Sequence, residues 1–483
     1  MTAAWVRRKN EKPFRLGCRL VAGRGRFSLW PMIVMGLVSL VDQVDQSILR
    51  GALPFVEREF RLSGLSAGLL GSAFIVVSVF ATIPAGWIAD HYRRTRVIGW
   101  TLASWSVLIL LSATAVNYLN LLFARMVMGI GQSVDDPAST SLLADYYPAR
   151  MRAKVFSFTQ VSFFLGTGIG IALGGLVAEA LSWRWAFALV GVPGSLVALA
   201  VFRLREPRRG ESDLPEDLSV EDIERMPPEK SRIPTTAELG FVPFLRLAFT
   251  QLRTEVAMIF RIRTMRYILV GVAALLFTVS GIGFWLTTYH VEYSGMTETQ
   301  AAAFAGLVLG AGGIGGTFLG GWLSDRYQNR WKGGRIVIVV WSAIACAALF
   351  AVSFAVGEVS VRLLLQFVGV AAAAGAAPGL RAAMTDVVPA ESRGVGASAF
   401  ALTVGIFGPA LAPALVGFLR DLTSLVAAFY IVFPPVVLGL LLLLRARHTI
   451  EEDARAIVAA MIEEQEVLER EKAHLAHADS DAG

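Results

Sequence analysis

"GWIADHYRR", at Gly86–Arg94, returns 235 positions later as "GWLSDRYQNR", at Gly321–Arg330. Each copy closes an apolar run and opens a basic loop. A second pair follows in step: "PASTSLLADYYPARMR" at Pro137–Arg152 answers "PGLRAAMTDVVPAESR" at Pro378–Arg393. Both read Pro, seven residues, Asp, two residues, Pro-Ala, two residues, Arg. The slightly larger second offset is taken up by the longer loop "NRWKGGR". Two independent matches imply an internal duplication, with two parallel halves related by an axis along the membrane normal.

The material between the motifs says what the halves are made of. The 483 residues are 55% hydrophobic and 17% charged, against about 45–50% and about 25% in soluble domains. Apolar runs fall near 29–56, 66–89, 96–115, 119–146, 153–181, 184–203, 265–290, 299–324, 335–356, 360–386, 393–419 and 424–444. Each has the roughly 20 residues needed to cross a hydrocarbon core of about 30 Å. The fold class is therefore an all-α polytopic membrane protein of twelve transmembrane helices. They form two six-helix pseudo-repeats, at 29–204 and 265–445. A basic N-terminus (1–28), a linker (205–264) and a tail (446–483) lie outside them.

Twelve spans put both ends on one side. Arg7, Arg8, Lys9 and Lys12 precede the first span; Arg93, Arg94, Arg96, Arg150, Arg152, Lys154, Arg326, Arg330, Lys332 and Arg335 fill the loops on that side. The alternate loops carry few cations: Arg58, Arg61, Arg184 and Arg420. Positive residues stay inside, so both termini are expected in the cytoplasm, of a multi-pass protein of the inner cell membrane. No short apolar region with a small-residue cleavage site follows the basic start, and no removable signal peptide is read. The linker begins charged and Pro-rich. It then mixes apolar and basic residues in "FVPFLRLAFTQLRTEVAMIFRIR", which reads as an interfacial helix or as one packed on the bundle. In the tail, Ala454, Met461, Leu468 and Leu475 fall seven apart, the pattern of an amphipathic helix.

These motifs resemble the major facilitator superfamily, whose loop between the second and third helices reads Gly-x-x-x-Asp-Arg-x-Gly-Arg-Arg/Lys. Gly86, Asp90 and Arg94 match it, with His91 in place of the Arg; Gly321, Asp325, Arg326 and Arg330 give a looser second copy. The resemblance implies a cytoplasmic gate. Asp90 would cap a neighbouring helix and pair with basic loop residues, latching that side while the transporter opens outward. A carboxylate at a helix N-terminus is favourable, and arginine is a planar, permanent cation. The plain alternative is an ordinary basic loop.

The first 200 residues are also similar to the spinster family of lipid transporters. Its first helix reads Asp-Arg-x-x-x-x-Gly-x-Leu-Pro and is followed by Gly-Leu-Leu/Ile; its fourth reads Arg-x-x-x-Gly-x-Gly-Glu. "DQSILRGALP" (Asp45–Pro54), "AGLLGSAF" (Ala67–Phe74) and "RMVMGIGQ" (Arg125–Gln132) carry the likeness. Asp45 and Arg125 match the family's polar pair. Gln46 stands where the family has Arg, and Gln132 where it has Glu. A proton acceptor in that Glu position is therefore missing here.

A charged side chain at the bilayer centre costs about 2.5–3.5 kcal/mol, so it must face a cavity or a partner. The first span carries Asp42, Asp45, Gln46 and Arg50; Asp42, Gln46 and Arg50 form one stripe at four-residue steps. The fourth carries Arg125, Gln132, Asp135 and Asp136. In the superfamily fold both helices line the central cavity, so the two sets are expected to make one polar wall. Asp135 and Asp136 are adjacent and cannot both face it. Asp42 and Arg50 could instead be packing residues paired across the bundle.

The charge is not duplicated. Gln132, Asp135 and Asp136 map onto Ala373, Ala376 and Ala377, and Arg125 maps onto Gln366. The seventh span offers Phe284, Trp285 and Tyr289. A polar N-terminal half facing an oily C-terminal half suits an amphiphile: Trp285, Tyr289 and Gln366 would complete the site.

Other chemistries lack their parts. No Walker motif is present, so energy would come from an ion gradient or from the substrate's own. The five His stand away from the centres of the apolar runs, and Cys18 and Cys346 are too far apart for a metal motif. No cofactor, catalytic residue, metal site or nucleic-acid partner is expected, and the chain reads as a monomer in the lipid bilayer. The leading reading is a transporter of lysophospholipid-like amphiphiles, with protons as a candidate coupling ion. The alternatives are a proton-coupled drug or organic-solute exporter and, more remotely, a membrane-embedded enzyme or sensor.

Overall fold

Three of the helices begin where a short polar side chain satisfies a free backbone N–H. The computed structural model describes residues 19–22, 25–207, 263–328, 334–387 and 402–449, with a few isolated positions between 243 and 260. Among these, twelve long helices follow in order: α1 (Trp30–Phe60), α2 (Gly64–His91), α3 (Arg94–Ala113), α4 (Tyr118–Tyr146), α5 (Ala149–Ala180), α6 (Trp183–Phe202), α7 (Arg263–Tyr293), α8 (Glu298–Gln328), α9 (Gly334–Ala355), α10 (Val359–Val387), α11 (Leu402–Leu422) and α12 (Leu425–Leu443). Ser63 caps α2, Asn117 caps α4 and Ser424 caps α12, each accepting a backbone N–H three residues on. Arg61 ends α1 in the left-handed region, φ 51°. Pro409 lies in a π-helical turn, Ile406–Ala410, inside α11.

Eleven of the twelve are apolar and long enough to cross a membrane by themselves; α4 is the exception. It is as long as the others but holds Arg125, Gln132, Asp135 and Asp136. One element was not expected from the sequence: β1 (Arg19–Ala22) pairs antiparallel with β2 (Gly25–Ser28) just before α1. Leu20, Val21 and Phe27 are β-formers among the arginines, and Tyr147 ties the hairpin down by donating to the Ser28 carbonyl at 2.8 Å. The helices expected in the linker and in the tail beyond residue 449 fall outside the described residues.

In the first half α1 packs on α5, α2 on α4 and α3 on α6; in the second, α8 packs on α10, α9 on α10 and α7 on α12. Beside lesser contacts of α1 with α7 and α8, two helix pairs join the halves closely, α5 with α8 and α2 with α11. Both depend on small residues, as helix pairs in lipid commonly do. A Cβ placed on Gly306 would lie 2.5 Å from the Gly168 carbonyl oxygen, and one on Gly417 would lie 2.1 Å from that of Gly64.

Candidate functional site

The polar residues of α1 meet α4 and α3. Gln132 of α4 donates to Asp42, whose other oxygen accepts from Gln46 at 2.9 Å and Gln43 at 3.1 Å. Asp45 is fully buried and accepts the indole N–H of Trp105, on α3, at 3.0 Å. Its second oxygen has no hydrogen-bond partner. Arg125 is 2% exposed, lies over the ring of Phe74 at 5.0 Å, and has neither Nε nor one terminal nitrogen satisfied. Asp45 and Arg125 attract one another without closing an ion pair. Arg50, half-buried, faces Arg125 as a like charge. Asp135 accepts from Ser139 at 3.2 Å. The Asp136 side chain falls outside the described residues.

These groups border two connected spaces. A cavity of about 610 Å³ is lined by α1, α2, α4 and α5, with Asp42, Gln43, Gln46, Gln132 and Asp135 on its wall. It runs to Met35, Leu143 and Phe156 at the end of the bundle that carries the basic loops. Beyond Gln46 lies a space of about 30 Å³, bordered by Arg50, Arg125, Ser280 and Phe284. A third, apolar space of about 300 Å³ lies between α5 and α8 and shares Phe156 and Gln160 with the cavity of about 610 Å³.

Three expected site residues lie elsewhere. Trp285 donates to the Pro413 carbonyl at 3.0 Å beneath Arg420, inside the packing of α7 on α11. Tyr289 is buried in an aromatic cluster with Tyr293 and Phe354. Gln366 binds His290 at 2.9 Å and Ser353. All three are sealed among C-terminal-half helices at the end opposite the basic loops, away from the polar cavity. His290 itself is fully buried near the end of α7, where the sequence had offered no embedded His; Ser294 is its second partner at 3.0 Å.

The loop motif takes a form of its own. Arg94 is 3% exposed and reaches Asp145, Ser141 at 2.9 Å, Glu206 at 2.8 Å and the Pro207 carbonyl at 2.9 Å. All belong to the N-terminal half or to the start of the linker just after α6, so in this state Arg94 clamps α3, α4 and that segment together and does not bridge the halves. Arg326 is exposed over Trp322 at 5.4 Å. Nothing is described of the side chains of Gly86, Asp90 and Asp325, nor of Arg330.

The halves are locked at the other end, by residues that the sequence did not single out. Arg420 of α11 pairs with Glu57 of α1 and with Glu292 of α7. Arg58 pairs with Glu298. Asp421 accepts the backbone N–H groups of Gly64 at 2.6 Å and Leu65 at 2.8 Å, capping α2 from the opposite half. Arg58–Glu298 and Arg420–Glu57 thus join the two halves at this end.

The profile of the Major Facilitator Superfamily matches residues 35–406. The chain is 28% identical over 192 residues to the sphingosine-1-phosphate transporter SPNS2 of Danio rerio, a match covering 38% of each chain. It spans only 35–38% of the length of the first curated relatives it matches, all spinster proteins. It is 24% identical over 402 residues to the cis,cis-muconate transport protein of Acinetobacter baylyi, covering 82% of this chain and 88% of that one. In fold it is similar to a bacterial homologue of the human lysosomal transporter Spinster in an inward-facing, unoccupied conformation, with a TM-score of 0.66, 20% identity and coverage of 89% and 97%. Twelve helices in two matched halves, a polar cavity beneath an end closed by ion pairs, and a superfamily profile spanning most of the chain lead to one conclusion: this protein is a transporter of the Major Facilitator Superfamily, similar to the spinster proteins.

Proposed function

We propose that the protein moves lysophospholipid-like amphiphiles by alternating access. The observation that carries this is the junction of two unlike spaces at Phe156 and Gln160. A head group fits the polar cavity between α1 and α4. A tail fits the apolar crevice between α5 and α8, whose wall holds Val161, Phe164, Ile314 and Phe318. Burial of apolar tail surface at about 25 cal/mol per Å² supplies the affinity, and the polar wall supplies the selection. The spinster relatives named for a lipid substrate support the reading. Proton coupling, if the transport is active, falls to Asp45: Gln132 cannot titrate, and Asp42 has both oxygens occupied by amides.

Reconstituted protein should carry fluorescent lysophospholipid across liposome membranes, faster with an imposed pH gradient. Asp45→Asn should keep the folded protein and lose the gradient's effect. Transport of cis,cis-muconate with no movement of lysophospholipid would replace this reading with an organic-acid carrier, the second reading favoured by the long match to the muconate protein.

We further infer that the basic loops face the cytoplasm of a bacterial inner membrane. Tyr92 is exposed between α2 and α3. In a cysteine-free background, Tyr92→Cys should react in intact cells with membrane-permeant maleimides alone; reaction with an impermeant one would invert the topology.

A further inference from the structure

Gln46 stands where the spinster pattern has arginine, yet α1 still carries a cation on that face. Arg50 lies one helical turn further on. There it shares a small space with Arg125, which faces it as a like charge. Arg125 leaves two buried nitrogens without acceptors. Arg50 has no hydrogen-bond acceptor among the described residues. Asp45 faces Arg125 but gives one oxygen to Trp105, and Asp42 is occupied by Gln43, Gln46 and Gln132. Two permanent cations facing one carboxylate leave positive charge in excess, where an uncompensated charge is costly.

The space between them is small. It measures about 30 Å³, with Phe284 and Pro413 closing it from the C-terminal half. Ser280 already donates to the Pro409 carbonyl at 3.0 Å, so it adds no donor. Gly283 of α7 passes directly over Arg50: a Cβ there would sit 3.6 Å from the guanidinium nitrogen. A volume of this size holds one water-sized atom, hence one anionic oxygen and not a whole phosphate. Gln46, Phe74 and Ile75 line both this space and the large cavity, which gives a head group its way in.

We propose that Arg50 and Arg125 form an anion site at the junction of the halves, which takes one charged oxygen of a phosphate or carboxylate head and so selects anionic amphiphiles over zwitterionic ones. This rests on the amphiphile reading, and the test separates the two. Purified full-length protein in maltoside should bind decyl phosphate about tenfold more tightly than decylphosphocholine, the scale of a charge-assisted hydrogen bond. Arg50→Gln should erase that preference, with a monodisperse elution profile and a wild-type thermal midpoint in the absence of ligand showing that the variant is folded. Inorganic phosphate at constant ionic strength should raise the thermal midpoint of the wild type and not of Arg50→Gln. Should Arg50→Gln fail to fold, Gly283→Ala serves: its methyl finds only ordinary contacts and covers the Arg50 nitrogen, so it should reduce the preference several-fold. Phosphate stabilisation lost in Arg50→Gln, without binding of either amphiphile, upholds the anion site and removes the amphiphile reading. Equal binding of both amphiphiles by the wild type, or an undiminished preference in Arg50→Gln or Gly283→Ala, overturns the anion site and leaves the amphiphile reading standing.

Discussion

Replacing Arg94 by alanine is expected to cost about 3–5 kcal/mol of stability, the usual consequence of leaving buried partners of a charge unpaired. The guanidinium serves two carboxylates, a hydroxyl and a carbonyl at once. No neighbour can take over that geometry. Lysine offers a point charge in place of a fork, so Arg94→Lys should recover only part of the loss. The measurement is the fraction of detergent-solubilised protein that stays monodisperse after heating. A curve superimposable on wild type would reduce Arg94 to a plain topogenic cation. The same network makes stability depend on pH. Burial alone would raise the Glu206 carboxyl, but the Thr95 backbone N–H, the Arg94 guanidinium and the Thr95 hydroxyl outweigh it and hold it below the ordinary value of 4.5. A group lowered in the folded state stabilises fully above its unfolded value, and the effect is lost as pH falls through the folded one. Acidification below about 4.5 should therefore destabilise wild type more than Arg94→Ala.

Gly417→Val is expected to empty the state seen here. Its Cβ would lie 2.1 Å from the backbone oxygen of Gly64, so α2 and α11 must separate. That contact exists only while this end is shut. Overpacking of this kind costs about 1–3 kcal/mol, which shifts a two-state ratio roughly 5- to 150-fold. Spin labels on the ends of α2 and α11 nearest Asp421 should move to longer distances, and turnover should fall by a similar factor, because the cycle needs both states. Asp421→Ala, which leaves the Gly64 and Leu65 N–H groups at the start of α2 without their acceptor, should act in the same direction more weakly. Unchanged label distances in Gly417→Val would mean that the α2–α11 contact does not define the state.

The duplication was legible because Gly, Asp and Arg at fixed spacing are needed in both halves. Much of the polar wall was legible too: periodicity tells which residues share a face, and Asp42 does meet Gln132. What periodicity does not tell is which neighbour that face meets. Trp105 was passed over as one aromatic among many, though a mid-span indole N–H needs an acceptor and Asp45 is it. Trp285 and Tyr289 looked like cavity aromatics, but the closure of α11 and α9 onto α7 buries them. Nothing in the pattern of the sequence set Glu57, Glu298 and Asp421 apart. Their role arises only when the two halves meet, a contact between positions some 240 to 360 residues apart in the chain, while Glu292 joins the same cluster from within the C-terminal half.

The polarity of α4 has a consequence for how the protein is made. Each Arg or Asp at mid-helix opposes insertion by about 2.5–3.5 kcal/mol, and α4 carries three such residues with no matching apolar excess. Released alone from the translocon, it would tend to slip back into water. Its partners Asp42, Asp45 and Phe74 lie on α1 and α2, which leave the ribosome earlier. Those helices must wait beside the exit site for α4 to arrive. Entry of α4 into the bilayer is thus an act of assembly, and a nascent chain truncated after residue 160 should integrate α4 when α1 is intact and expose it to the far side when Asp42 and Asp45 are replaced by leucine.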